Sequence, residues 1–156
     1  MQPATIVPPS ALIKYQGAGI SFSHPEGSKV IYFDHGDGEG AVRLVYNPDA
    51  QNRLRVTIER TKRYPSAKAA AEAVYAEASA IFKDENIPPY PIDAPGYSGW
   101  RCRKRFVEGG TAPLIIEHAF LEANAQIIQL TLAARPPAYE KGKWVLELLL
   151  QTIAFQ

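Results

Sequence analysis

The sequence predicts an α+β protein in which a twisted antiparallel sheet of about seven strands is sandwiched between helices. This α/β/α-type prediction places one helix after the fourth strand and another at the C-terminus. In several segments apolar and polar residues alternate, which is typical of strands with one buried face. In two other segments apolar residues recur every three or four positions, which is typical of helices that pack on a sheet. Because the strands come in runs joined by turns, we expect antiparallel pairing.

Four strands are predicted before the central helix. They are residues 11–23, 29–33, 41–46 and 53–60. The last of them has the clearest pattern, because Leu54, Val56 and Ile58 alternate with polar side chains. This period of two buries one face of the strand and leaves the other face in water.

Residues 66–86 predict the central helix, with Ser66 as its N-cap. Alanines such as Ala70 and Ala71 fall on one stripe of this helix, which indicates close packing against the sheet. The next segment, residues 87–99, contains four prolines and is predicted to be a long surface connection.

The C-terminal half predicts three more strands and a closing helix. The strands are residues 100–108, 114–122 and 125–134. Short turns join them, so they predict an antiparallel meander. Residues 139–151 predict the closing helix, and residues 152–155 a short apolar tail. We expect residues 1–10, which carry three prolines, to be a flexible tail before a single domain that spans residues 11–156.

Composition and charge exclude several classes of function. Lysine and arginine total 17 against 16 aspartates and glutamates, and a net charge of +1 gives no general argument for nucleic acid binding. The longest apolar run near the C-terminus is interrupted by Glu147 and is too short to cross a bilayer. Cys102 is the one cysteine, so an intrachain disulfide and a cysteine zinc cluster are excluded. We expect no metal, cofactor, nucleic acid or transmembrane segment.

Four stretches of the sequence resemble a known superfamily. They are GISFSHPE (19–26), LRVTIER (54–60) followed by SAKAAAEAVYAEAS (66–79), the predicted meander (99–132), and AYEKGKWVLELLLQTIAF (138–155). In element order and apolar pattern they resemble the PsbP-like superfamily, which includes the DcrB-like bacterial lipoproteins and the Ran-binding Mog-type proteins. The resemblance covers residues 11–156.

The resemblance implies a protein that binds a partner and is not an enzyme. Members of the superfamily act as accessory subunits, envelope lipoproteins, type VI secretion chaperones or regulators, and none of their site motifs aligns with this sequence. We therefore expect a non-catalytic binding or accessory protein of the bacterial cell envelope, with a periplasmic location. The sequence carries no signal peptide and no N-terminal lipid-bearing cysteine, so a cytoplasmic location is the alternative. A second alternative is a secretion-associated chaperone or immunity protein that binds an effector, for which a dimer is expected.

Basic residues on two of the predicted strands are the most unusual local feature. They are Arg53, Arg55, Arg101, Arg103 and Arg105. If the two strands are neighbours with matched facing, these residues form one cationic face that can bind an acidic protein. Tyr90 and Tyr97 of the proline-rich segment are assigned to the same binding surface, where they can line a groove for a partner segment. The alternative interpretation, which the sequence favours, is that they cover the edge of the core. For the basic residues, the alternative interpretation is a solvated face whose charge is neutralised by nearby glutamates.

Two further clusters have a chemical and a plain structural interpretation. Cys102 and His118 face each other if the residue numbers of paired positions sum to 220, and a thiol beside an imidazole can form a small thiol-dependent enzyme. An inert buried thiol is the favoured interpretation. The acidic loop 34–40 offers oxygen ligands at Asp34, Asp37 and Glu39, but its spacing does not match a calcium-binding loop and favours an exposed turn.

Overall fold

The computed structural model describes residues 12–17, 19–34, 40–77, 86–106, 113–123 and 125–155. In chain order its elements are β1 (Leu12–Gly17), β2 (Ile20–Pro25), β3 (Lys29–Asp34), β4 (Gly40–Asp49), β5 (Asn52–Thr61), α1 (Ala67–Glu77), β6 (Ile87–Ala94), β7 (Tyr97–Phe106), β8 (Leu114–Ala123), β9 (Gln126–Ala134), α2 (Pro136–Gly142), α3 (Trp144–Thr152) and β10 (Ala154–Phe155).

The strands form two antiparallel sheets. The larger sheet has seven strands in the order β3-β4-β5-β9-β8-β7-β6, and the smaller one has the order β1-β2-β10. The predicted α+β class is confirmed, with a seven-stranded antiparallel sheet, a central helix and a helical C-terminal region. The predicted meander of the last three long strands is also confirmed, because β7, β8 and β9 pair in chain order.

The larger sheet has the predicted number of strands, but one predicted strand is absent from it and one unpredicted strand is present. The first predicted strand is split into the hairpin β1–β2, which belongs to the smaller sheet. Its place among the seven is taken by β6, which lies in the segment predicted to be a surface connection. Proline is tolerated in β6 because this strand forms an edge of the sheet, where a missing N–H donor leaves no ladder partner unpaired. Gly96, with a φ of +81°, permits the tight turn from β6 to β7.

The central helix begins where the sequence predicts, whereas the closing helix begins at Pro136, three residues before its predicted start, and is divided into two helices. The Ser66 hydroxyl accepts a hydrogen bond from the Ala69 N–H at 3.1 Å, so the predicted N-cap of α1 is confirmed. Residues 78–85 of the predicted helix lie outside the described residues, and Asn86 is not helical. The closing helix consists of α2 and α3, which are separated at Lys143. The predicted apolar tail contributes β10.

The helices pack on opposite faces of the larger sheet. The alanine stripe of α1 packs on β6, β7 and β8, and Ala70 and Ala71 are fully buried there beside Phe120. On the other face, α2, α3 and the smaller sheet enclose the main hydrophobic core, which includes Phe22 and Leu149. On the α1 side, the described part of α1 packs on β6, β7 and β8, whereas Ile31, Arg53 and Arg55 of the half formed by β3, β4 and β5 are exposed. This half-face, uncovered within the described part of the chain, leads to the candidate site.

No helix among the described ranges is long and apolar enough to span a membrane. The predicted flexible tail, residues 1–10, lies outside the described residues. The division into a tail and one domain stays a prediction.

Candidate functional site

The predicted basic residues lie on opposite faces of the sheet. Arg53 and Arg55 are on β5, and two strands, β9 and β8, separate β5 from β7. Through the register of these strands, Arg55 shares a face with Lys104, whereas Arg101 shares the opposite face with Ile58. The strands β5 and β7 are therefore not neighbours, and their arginines point to opposite faces of the sheet. The five arginines do not form one cationic face.

A different set of arginines surrounds a groove on the uncovered half-face. The groove has a volume of about 540 Å³ and crosses the sheet from β3 to β8 and the start of α2. We call it the arginine groove. Its charged residues are Arg43, Arg53, Arg55 and Arg135, and its larger apolar residues are Ile31, Val45 and Leu114.

Strand alternation explains why these side chains point into the groove. Arg43 lies between Val42 and Leu44, which are fully buried on the opposite face, so its own side chain is turned toward the α1 side. Arg53 and Arg55 alternate with buried core residues of β5 in the same way. Arg135 lies in extended conformation directly before α2, where the chain leaves β9.

The positive charge of the arginine groove is uncompensated within the described part of the chain. No aspartate or glutamate is among the described residues that line it, and none of its four arginines forms an ion pair with a described residue. The Nε atom of Arg43 is buried and has no hydrogen-bond partner there. The Arg43 guanidinium carbon lies 4.9 Å from the ring centroid of Phe33. Such a site is suited to binding carboxylates.

The sequence predicts two of the four arginines as partner-binding residues, Arg53 and Arg55, and does not single out Arg43 or Arg135. The alternation of Arg43 with Val42 and Leu44 is a usable signal that it faces the same side as the arginines of the next strand. Arg135 gives no such signal, since its position depends on where β9 ends relative to β5.

On the other face of the sheet, Arg101 is the centre of a buried ionic network. Arg101 Nη2 lies 2.5 Å from Glu117 Oε2, and Nη1 lies 2.6 Å from Glu147 Oε1 of α3. The Tyr139 hydroxyl donates to Glu117 Oε1 at 2.8 Å. Burial lowers the pKa of Arg101, but the two glutamates raise it more, so the guanidinium stays charged. Arg101 thus connects the sheet to α3.

The other predicted partner-binding residues surround this network. Arg103 Nη1 donates to the Tyr139 hydroxyl at 3.2 Å, and Tyr90 lies opposite Arg101 on β6. The Tyr97 hydroxyl accepts a hydrogen bond from the Phe155 N–H at 3.0 Å. Contact of these residues, and of Arg101 and Arg105, with a partner stays a prediction.

Cys102 and His118 are directly opposite each other on β7 and β8, as the sum of 220 predicts. Both border a cavity of about 270 Å³ between α1 and the sheet. Burial raises the pKa of the Cys102 thiol to about 11 and lowers the pKa of His118 to about 4. The His118 Nδ1 atom lies 3.2 Å from the Thr131 hydroxyl, and the Cys102 thiol donates to the Ala71 carbonyl. A protonated thiol beside a neutral imidazole is not an activated nucleophile.

The acidic loop, predicted to be an exposed turn, lies outside the described residues at positions 35–39. The described segments contain no group of three His, Cys, Asp or Glu side chains that could bind a metal ion.

Comparison with known proteins gives similarity at the level of structure alone. No protein-family model matches the sequence, and no curated protein matches it. The solution structure of cyanobacterial PsbP (CyanoP) from Synechocystis superposes with a TM-score of 0.59 at 14% identity, over 100% of this chain and 99% of that one. LpqN, described as involved in cell envelope biogenesis of Mycobacterium tuberculosis, superposes with a TM-score of 0.61 at 11% identity, over 94% of this chain and 90% of that one.

A crystal structure from Bacteroides thetaiotaomicron superposes with a TM-score of 0.56 at 14% identity over 92% of this chain. The chain spans about half the length of that protein, 48%. These similarities confirm the fold that the resemblance implies. The chain has a PsbP-like fold.

Proposed function

We propose that this chain is a non-catalytic binding or accessory protein of the bacterial cell envelope, and that it binds an acidic protein at the arginine groove. The single observation that carries the proposal is the group of four arginines that line one groove without a carboxylate among its described lining. Like charges placed together destabilise a sheet surface, and an acidic partner would relieve that repulsion.

The mixture of side chains favours a protein over other anionic partners. The groove combines guanidinium groups with Ile31, which is 50% exposed, and Leu114, which is 37% exposed. Exposed apolar side chains inside a charged rim are typical of protein–protein interfaces. Nucleic acid and anionic membranes usually require a wider excess of positive charge than the net +1 of this chain.

The cell-envelope and accessory parts of the proposal depend on the comparisons. LpqN is described as involved in cell envelope biogenesis, and the fold that it shares with this chain is also that of PsbP. The non-catalytic part is supported by the raised pKa of Cys102, which removes the activated thiol that the enzyme alternative requires.

The groove is tested with a labelled peptide in which Glu alternates with Val, titrated with the protein at low salt. We expect the double variant Arg43→Glu with Arg55→Glu to weaken binding by at least about tenfold, because attraction becomes repulsion. The matched control is Lys14→Glu with Lys68→Glu, which makes the same charge change on exposed residues of the smaller sheet and of α1 that do not line the groove, and it should leave binding unchanged.

Anionic vesicles and a single-stranded oligonucleotide complete the test. We expect neither to bind in an arginine-dependent manner. Equal peptide binding by the groove variant and the control variant would contradict the proposal. Arginine-dependent capture of vesicles or oligonucleotide, with no peptide binding, would replace the acidic protein with that class of ligand. The location is tested by osmotic-shock fractionation of bacteria that express the native gene, and recovery in the cytoplasmic fraction would contradict an envelope protein.

A further inference from the structure

Within the described part of the chain, the strand β3 is an open edge of the larger sheet, directly beside the arginine groove. It is the last strand in the sheet order, and no strand among the described residues pairs with its outer side. Its Ile31 and Tyr32 point to opposite faces and are 50% and 47% exposed. Alternate residues of such an edge present their N–H and C=O groups to solvent, where another chain can pair with them.

The opposite edge of the sheet is protected against such pairing. There β6 contains Pro88, Pro89 and Pro91, which have no N–H to donate, and its register with β7 shifts between Ile87 and Tyr90. Prolines and irregular register are devices by which natural sheets prevent strand addition. The described edge strand β3 contains neither, since it pairs with β4 in continuous register from Lys29 to Asp34 and has no proline.

The groove and the open edge are connected by two residues. Ile31 of β3 lines the groove and also lies on the edge strand. Arg43 of β4 extends over the ring of Phe33, so its guanidinium lies above the edge strand. A chain that pairs with β3 would therefore place its side chains on this face next to Ile31 and within reach of Arg43.

We infer that the acidic partner binds by strand addition, with an extended segment of the partner pairing along β3. This inference rests on the proposed function and specifies its binding mode. Main-chain hydrogen bonds to β3 supply sequence-independent affinity. Specificity comes from alternate side chains, of which carboxylates on one face meet the arginine groove while apolar groups on the other face contact Tyr32.

Charge distinguishes this partner from a second copy of the chain. Pairing β3 with β3 of another copy would bring two arginine grooves together, and like charges that meet at an interface oppose association. A segment with carboxylates at alternate positions instead neutralises the four arginines. The groove therefore favours a foreign acidic strand over self-association.

The binding mode is tested by amide hydrogen exchange of β3 with and without the alternating Glu-Val peptide. We expect exchange at alternate residues of Lys29–Asp34 to slow by at least about tenfold when the peptide binds. A second peptide has the same sequence but carries N-methyl groups on its central amides. This change keeps the charge of the glutamate side chains and removes the backbone N–H donors that strand pairing requires. We expect it to bind at least about tenfold more weakly than a control methylated only at its terminal amides.

The possible outcomes separate this inference from the proposed function. If the centrally methylated peptide binds as tightly as the control and β3 exchange is unchanged, strand addition is wrong and the groove remains a docking site for acidic side chains. If the parent peptide does not bind, or if Arg43→Glu with Arg55→Glu has no effect on it, the proposed function and the inference both fail. Concentration-dependent dimerisation in sedimentation, with the same β3 amides protected without peptide, would assign the edge to a second copy.

Discussion

Arg101 and Glu117 form an ion pair on the diagonal of the β7–β8 ladder. The residue directly opposite Arg101 is Ala119, and Glu117 is directly opposite Arg103. Because Ala119 is small, the Arg101 side chain can extend along the sheet and donate to Glu117 through both Nε and Nη2. Its remaining terminal nitrogen binds Glu147 on α3. One buried guanidinium thus joins two strands and a helix.

The first prediction concerns the stability of this network. We expect Arg101→Met to lower the free energy of unfolding by about 3–5 kcal/mol, because it removes the guanidinium that donates two hydrogen bonds to the buried Glu117. Replacing both partners, Arg101→Met with Glu117→Leu, should cost clearly less than the single change. Urea denaturation monitored by tryptophan fluorescence gives all three values.

Lys141→Met is the control, because it removes the cation of an exposed pair with Asp49 and should cost much less. The ionic account is wrong if Arg101→Met lowers the free energy of unfolding no more than Lys141→Met does. It is also wrong if adding Glu117→Leu to Arg101→Met lowers that free energy by as much again as Arg101→Met alone.

A second prediction concerns pH and His118. Burial lowers the pKa of His118 from 6.5 to about 4, so the folded state keeps the ring neutral over a range in which the unfolded state binds a proton. The contribution of the neutral His118 ring to the free energy of unfolding is therefore fully present above pH 6.5 and decreases as the pH falls toward 4. The full loss is on the order of 3 kcal/mol.

The measurement compares the free energy of unfolding of the wild type with that of His118→Gln as a function of pH. Carboxylates that titrate in the same pH range affect both proteins, so the difference between the two isolates the contribution of His118. We expect the difference in unfolding free energy between the two proteins to change steadily from pH 6.5 to pH 4 and to be constant above pH 7. A difference that is flat over the whole range would show that His118 is not kept neutral by burial.

A third prediction concerns the thiol of Cys102. Because the residue is 1% exposed and its pKa is raised to about 11, we expect iodoacetamide to modify the native protein very slowly at neutral pH. In urea the thiol should react at the rate of a free cysteine. Mass spectrometry after timed quenching measures both rates. Rapid native modification would return the thiol-enzyme alternative to consideration.

Local patterns in the sequence predict much of this fold. The alternation in 53–60 predicts which side chains of β5 are buried, and Ser66 predicts the start of α1. The condition under which Cys102 and His118 face each other, that paired residue numbers sum to 220, is met, whereas a slip of one residue would have separated them. Each of these predictions depends on neighbours in sequence, where propensity and turn geometry act directly.

The binding surface depends instead on the order of strands that are distant in sequence. Whether Arg55 lies beside Arg101 is decided by the insertion of β9 and β8 between β5 and β7, and no periodicity encodes that insertion. The proline-rich segment illustrates the same limit. Its prolines disfavour a central strand, yet they are compatible with an edge, and edge status is a property of the whole sheet.

A fourth prediction concerns the cost of keeping four arginines together. Arg55 lies on the same face as Arg53 and Arg43, without a carboxylate among the described residues of the groove. We expect Arg55→Glu to raise the free energy of unfolding by roughly a few tenths of a kcal/mol at low salt, since it replaces repulsion with attraction. The gain should disappear at high salt, where exposed charges are screened.

Lys141→Glu serves as the comparison, because it places two carboxylates together at Asp49 and should reduce stability at low salt. The interpretation of the groove as electrostatically unfavourable is wrong if Arg55→Glu is destabilising at both salt concentrations. That result would mean that Arg55 has a compensating partner in the folded chain.

The last prediction assigns Tyr97 a structural role. Its hydroxyl accepts the Phe155 N–H, and its ring stacks on Phe155 with centroids 4.6 Å apart, which holds β10 against β2. We expect Tyr97→Phe to lower the free energy of unfolding by about 1 kcal/mol and to speed exchange of the Phe155 amide, because the ring is kept and only the acceptor is lost. Peptide binding at the arginine groove should not change. Unaltered protection of the Phe155 amide, or weakened peptide binding with stability unaffected, would show that Tyr97 acts at a binding surface and not as a fastening for β10.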